Sequence, residues 1–490
     1  MTSLVIMPMK LGDLIQATPL LSEIKNSYPP LILLVSRPEV ALAAKITLLP
    51  NDVILIPEEE LIKNSFTPKS LNKINDIPKP LSLLVNLSSS ESSLNLADKF
   101  SAPIKLGPQK AQNRVLFPPA QKLAAAIMAV DRSLGRLNLV DLWRLLAPSA
   151  AAATRRLYWP TDPALDADPQ ALAEALNLKG QDLPLLNFPN RPRSEPLIGL
   201  HLGSGHHLRR WPVERFVELA KGLTKTAPGA NFVLLGGLGE RAMAKRFLDL
   251  LGPGSANSPR TLDLTGKTPL NALGSVIKKL GLFVAADTGV THIAAAVGTQ
   301  LLAIFGGPAL AGETGPYAPG SVMIQGQAPC SPCAENRPCP KKPCPALPQV
   351  APVLRAAQSL IGHLPNGAPG GSPTADPMAD ALTYLAGSDD LGQTLIPYFE
   401  TPLTAKDRLA LAIREASAYA LYPNHAQNQY LNSMENYRPA QNPEAFPDPL
   451  PTLKAIASLA FGENSTKNTF LDLARQTLKL IDSKIQKPHS

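Results

Sequence analysis

Asp287-Thr288-Gly289, with His292 one helical turn further on, stands where an apolar run ends and opens a short stretch that Gly298 ends. A carboxylate, a hydroxyl and helix-start amides just beyond the carboxyl end of a strand suit a polar ligand, and the amides favour an anion such as a pyrophosphate. The segment His201-Leu202-Gly203-Ser204-Gly205-His206-His207-Leu208-Arg209-Arg210-Trp211-Pro212 gathers small residues and adjacent guanidinium groups in one turn. Ser204 and Gly205 suit close approach of a phosphate to the backbone, and Arg209 gives it a permanent, fork-shaped cation. Leu234-Leu235-Gly236-Gly237-Leu238-Gly239-Glu240 is a further glycine turn of this kind, with a carboxylate at its end. Near the start, Lys10-Leu11-Gly12-Asp13 stands between an apolar run and a helical pattern. Taken alone, Asp13 reads as a helix cap; beside the other turns it is also a candidate general base.

The four cysteines, Cys330, Cys333, Cys339 and Cys344, all fall within 15 residues. No signal-like leader is read at Met1 to Met9, so disulfides are the poorer explanation. Thiolates at this spacing suit a tetrahedral structural zinc or an iron centre, with free buried thiols as the alternative. Such a closed site has no open position for substrate. Its expected role is to staple the loop after the last strand of the second lobe.

These turns need elements to hold them. Leu4 to Met7, a helix with Leu14, Ile15, Ala17, Leu20, Leu21 and Ile24 on its apolar positions, and Leu31 to Val35 read as strand, helix, strand. Val53 to Ile56 and Leu81 to Asn86 are further strands, with a Lys/Asn-rich, mobile segment expected over 62–79 and one long or broken helix over 120–147. In the second half, strands over 197–202, 231–235, 262–264, 282–286 and 301–305 alternate with helices over 212–226, 238–251, 269–280 and 350–363. That alternation predicts two doubly wound parallel sheets. The expected division is a first lobe over 1–190, a second over 191–364 that includes the cysteine loop at 330–344, a Pro/Gly linker over 365–378, and a helical C-terminal extension over 379–490.

At 490 residues the chain is too long for one ordinary domain. No apolar run approaches the ~20 residues that span a bilayer, so a cytoplasmic protein is expected. The net charge of +8 suits acidic partners. It is spread along the chain and aromatic residues make up only 5%, which argues against a nucleic-acid platform. A zinc-ribbon nucleic-acid binder would use the charge and the cysteines but ignore the glycine turns.

As a set, Gly12-Asp13, Arg210-Trp211-Pro212, the Gly-Gly-x-Gly-Glu turn ending at Glu240 and Asp287-Thr288-Gly289-x-x-His292 resemble glycosyltransferase family 9, the ADP-heptose:lipopolysaccharide heptosyltransferases. The resemblance spans roughly residues 1–364. It implies an α/β, GT-B architecture: two Rossmann-like lobes facing across a cleft, acceptor side first and nucleotide-sugar side second. It also implies inverting transfer without a catalytic metal, from an ADP-sugar to a lipid-anchored saccharide of lipopolysaccharide-core type, with peripheral contact at the inner membrane. Asp13 would be the general base, with Lys10 and Gly12 on the acceptor side. Ser204, Gly205 and Arg209 would meet the phosphates, Glu240 the ribose, and Asp287, Thr288 and Gly289 the donor sugar and phosphates, with His292 lining that helix. Relatives that glycosylate autotransporters carry similar cysteine clusters and hold iron. The chain departs from the family in having Arg for Lys at 209, a longer first lobe and the tail after 364. A protein acceptor, or a nucleotide-sugar-binding scaffold without transfer, stays open at this point.

Overall fold

The computed structural model describes residues 2–112, 114–131, 137–147, 156–178, 195–252, 260–328, 347–362, 381–388, 393–397, 405–421, 450–461 and 470–476, with a few single residues and pairs between them. They group into two compact units: Met1–Ala125 with Leu139–Pro160, and Ala126–Asn138 with Thr161–Ser490.

In the first unit β1 (Thr2–Ile6), β2 (Leu31–Val35), β3 (Asp52–Leu55), β4 (Leu81–Asn86) and β5 (Ile104–Leu106) form a parallel sheet in the order β3-β2-β1-β4-β5. Every residue of β1 and β2 is buried. Near-continuous apolar runs of this kind belong to a parallel sheet covered on both faces. Leu4, Ile6, Ile32, Leu34 and Leu84 pack one face together with Leu61, Ile74 and Phe100. A hairpin of β6 (Gln109–Ala111) and β7 (Arg114–Leu116) follows.

The segment expected to be mobile is built from two helices, Glu58–Lys63 and Pro68–Asn75. Thr67 caps the second through the Ser70 amide, and the Glu60 carboxylate accepts from the Thr67 amide at 3.0 Å. The Lys/Asn composition conceals a buried anchor, Ile74, and Leu61 just before the segment is buried as well. The region expected as one long or broken helix over 120–147 is a broken one, with helices Pro119–Asp131 and Leu139–Arg144.

The second unit carries an eight-stranded sheet: β8 (Leu197–His201), β9 (Asn231–Leu235), β10 (Thr261–Asp263), β11 (Leu282–Ala286), β12 (Leu301–Phe305), β13 (Val322–Gly326), β14 (Ala381–Ser388) and β15 (Gln393–Pro397), in the order β10-β9-β8-β11-β12-β13-β14-β15. It is parallel from β10 to β13. The chain leaves β8 toward β9 and β10, then returns to lay β11 on the other side of β8. This reversal is the switch point where such sheets open a crevice at their carboxyl ends.

The last two strands correct the expected purely helical extension. β14 pairs antiparallel with β13, placing Met323 opposite Tyr384, and β15 pairs antiparallel with β14. Leu382, Tyr384 and Ala386 alternate onto one face, where Tyr384, Ala386 and Leu395 pack with Phe305 and Met323. The period of two, together with the open hydrogen-bonding edge of β13, selects strand over helix here. Helices Ala405–Leu421 and Leu450–Phe461 follow. The Pro/Gly linker lies outside the described residues. Among the described residues no helix is long and apolar enough to cross a membrane. Each unit is thus built on a doubly wound parallel sheet, the second extended by the antiparallel β14 and β15.

Candidate functional site

The switch point of the second unit brings together two of the turns singled out above. β8 and β11 run side by side with Leu200 opposite Val284 and His201 opposite Ala285, so the loops after them emerge as neighbours. The buried Ser204 hydroxyl donates to the Asp287 carbonyl at 2.9 Å. Arg209 Nη1 donates to Asp287 Oδ2 at 2.6 Å, with side-chain exposures of 23% and 6%. A guanidinium and a carboxylate this far withdrawn from water interact more strongly than a surface pair.

Several contacts hold the loop that carries Arg209. The Arg209 amide donates to the His206 carbonyl at 3.0 Å, and Arg210 Nε donates to the Ser204 carbonyl at 3.2 Å. Buried Leu208 rests on Gly307, whose φ of +60° is a left-handed conformation; a Cβ there would lie 2.7 Å from the Leu208 carbonyl oxygen. Trp211 is buried edge-on against Phe216 and donates from Nε1 to the Pro348 carbonyl at 2.8 Å. Gly205 and Arg210 are exposed at the rim, and the His206 and His207 rings stack at 4.6 Å.

Beyond β11, helix Gly289–Val297 starts at Thr288, whose side chain makes no capping bond, and ends at Gly298 in the left-handed region. Its first amides and the positive end of its dipole are therefore directed to the Asp287 side, a setting for anionic oxygens. His292 lies on the buried face of this helix at 3% exposure, and burial pushes its pKa down to about 4. It is a neutral imidazole at ordinary pH.

The turn after β9 ends in Glu240, whose Oε2 accepts from the Gly237 amide at 2.6 Å. Glu240 also reaches over Gly203. Beneath them His201 is buried, with Nδ1 3.1 Å from the Gly203 carbonyl. Burial holds His201 below its ordinary range, and the Glu240 carboxylate pulls it the other way. The sequence reading passed over His201; its signal is a lone histidine closing an otherwise apolar strand.

In the first unit, Asp13 stands in the first turn of helix Leu11–Ser27, half-buried, and its Oδ2 accepts from the Lys10 amide at 2.8 Å. Lys10 is exposed and Gly12 half-buried on the same turn. The first-unit sheet reverses between β1 and β4, and a second turn missed by the sequence reading lies there. Asn86 holds the Ser88 and Pro108 carbonyls through Nδ2 at 2.8 and 3.0 Å, and Ser90 caps helix Glu91–Ala97.

Of the cysteines, Cys330 is exposed, Cys339 half-buried and Cys344 buried, and Cys333 lies outside the described residues. Among the described residues no three His, Cys, Asp or Glu side chains group in a way that could hold a metal ion.

Residues 138–344 match the family model of glycosyltransferase family 9 (heptosyltransferase). No curated protein matches the sequence. Among solved structures, a glycosyl transferase family 9 protein from Veillonella parvula aligns at 17% identity over 74% of this chain and 97% of that one, with a TM-score of 0.51. The E. coli ADP-heptose lps heptosyltransferase II aligns at 18% identity over 74% and 98%, with a TM-score of 0.49. An iron-containing dodecameric glycosyltransferase from enterotoxigenic E. coli aligns at 12% identity over 73% and 75%, with a TM-score of 0.40. The resemblance carried by the turn motifs is met, over residues 138–344, by the match to glycosyltransferase family 9 (heptosyltransferase).

Proposed function

We propose that the protein transfers a heptose, or a related sugar, from an ADP-sugar to a saccharide acceptor of lipopolysaccharide-core type with inversion at the transferred carbon. The observation that carries this reading is the Arg209–Asp287 pair at the switch point, beside the start of helix Gly289–Val297. A leaving diphosphate needs its developing charge offset, and a guanidinium with helix-start amides does this without a divalent metal. Asp13 takes the proton of the acceptor hydroxyl as that oxygen attacks the anomeric carbon from the face opposite the diphosphate. The bond from the anomeric carbon to the phosphate oxygen breaks, and ADP departs with the electron pair. Glu240 holds the ribose, Ser204 and Gly205 the phosphates, and Asp287, Thr288 and Gly289 the donor sugar.

Lys10 and Gly12 belong to the acceptor side. The anchored acceptor places the enzyme in the cytoplasm at the inner membrane, where basic surface is attracted to anionic lipid. The four cysteines hold a structural zinc or iron; the spacing of their thiols supports this, and the metal takes no part in the transfer.

A thermal-shift panel of ADP-, GDP- and UDP-sugars tests the reading, because a ligand that prefers the native state raises the melting point. Stabilisation by ADP-heptose above the other donors is expected, followed by transfer to a lipopolysaccharide precursor lacking heptose. Stabilisation by none of the nucleotide sugars overturns it. Transfer to a protein acceptor in place of the lipid-anchored one would redirect it.

A further inference from the structure

We propose that Asp287 is an exchangeable counter-ion for Arg209, so that the site binds a sugar diphosphate in preference to the free nucleoside diphosphate left after transfer. This deepens the reading of the second unit as a nucleotide-sugar site and rests on it. Arg209 Nη1 sits 2.6 Å from Asp287 Oδ2. The main chains behind both residues are held independently of that contact. Asp287 receives the Ser204 hydroxyl on its carbonyl at 2.9 Å and donates its amide to the Ile304 carbonyl at 3.0 Å. Arg209 is carried on a turn seated against Gly307, and the following Trp211 is tied to the Pro348 carbonyl. Separating the two side chains therefore leaves both loops in place.

A diphosphate and the Asp287 carboxylate seek the same donors. Two anions around one guanidinium repel, so a diphosphate that takes Arg209 leaves Asp287 without that partner. A buried carboxylate that loses a partner is costly unless another donor replaces it. The hydroxyls of a sugar attached to the diphosphate are such donors. ADP alone has none to offer there. The pair thus favours the donor before transfer and favours release of ADP after it, because a ligand shifts an exchange only by its differential interaction with the two arrangements.

Calorimetry with ADP, inorganic pyrophosphate and ADP-heptose tests this. In the unmodified protein ADP-heptose is expected to bind at least about fivefold tighter than ADP, and equal affinity overturns the proposal without any variant. Asp287→Asn is expected to tighten ADP and pyrophosphate by roughly tenfold and to erase most of the preference for the sugar nucleotide. In an Arg209→Ala background the same substitution should change ADP binding by less than about twofold. Equal tightening in both backgrounds means simple repulsion and overturns the exchange, as does weaker ADP binding in Asp287→Asn. If the unmodified protein binds no nucleotide and no pyrophosphate, the nucleotide-sugar reading falls with it. Binding of ADP without the Asp287 effect removes this inference alone.

Discussion

The Glu240 carboxyl group occupies the space that a side chain at position 203 would need: a Cβ on Gly203 would lie 2.6 Å from both Cγ and Oε1 of Glu240. The loops after β8 and β9 are therefore matched to one another, glycine beneath and carboxylate above. Glu240 is held from the other side by the Gly237 amide, which donates to its Oε2 at 2.6 Å.

Gly203→Ala is expected to displace Glu240 while leaving both strands intact. Affinity for ADP should fall by roughly tenfold, about 1.4 kcal/mol, and the melting temperature should move by only a few degrees. Isothermal titration beside a thermal melt checks this. A large loss of melting temperature with unchanged nucleotide affinity would place the role of this contact in folding.

Asp13→Asn keeps an oxygen that can accept from the Lys10 amide and removes the ability to take a proton. Transfer should fall by about 10²- to 10⁴-fold, with ADP affinity and melting temperature unchanged. Transfer at the wild-type rate would remove Asp13 from the chemistry and leave it as a helix-start residue, as would a large loss of stability alongside a small loss of rate.

Acid should destabilise the second unit through its buried imidazoles. The native pKa of His292 is about 4 and its ordinary value is 6.5. The unfolded chain therefore binds a proton that the native chain refuses, and the stability present above about pH 6.5 drains away as pH falls toward 4. The slope from one such group reaches about 1.4 kcal/mol per pH unit. His201 is shifted in the same direction. Urea unfolding at pH 7, 6 and 5 should show a shallower acid loss for His292→Gln than for the wild type. Parallel losses would mean that His292 is not held neutral.

Metal analysis of the purified protein should find zinc or iron at about one ion per chain. Cys333→Ser should lose the metal and lower the melting temperature, with ADP affinity within about twofold of the wild type. Unchanged metal content and melting in the variant would leave the cysteines as free thiols.

The turns that carry Asp13, Ser204, Arg209, Glu240 and Asp287 were legible because glycines and polar residues interrupt apolar runs at strand ends. That pattern is local. The Ser204–Asp287 and Arg209–Asp287 contacts come from the adjacency of β8 and β11, strands separated by more than 80 residues of sequence, as the 83-residue spacing of Ser204 and Asp287 shows. The seat of Leu208 on Gly307 and the matching of Gly203 to Glu240 are contacts between loops, and no periodicity announces them. β13 escaped because Val-Met-Ile-Gln-Gly is short and has no helix directly after it to mark a repeating unit. β14 and β15 escaped because their period of two is short and sits among helical patterns.

The strands after the linker also change what a shortened protein would be. β14 and β15 continue the parallel sheet of the second unit, and Tyr384 ties the following helix by donating to Asp407 at 2.9 Å. A chain cut before residue 381 would strip the cover from Phe305 and Met323 and bare the flank of β13, a template for sticking to other copies. A loss of activity in such a cut would include damage to this sheet, so the tail's own contribution has to be sought by point changes on its outer surfaces.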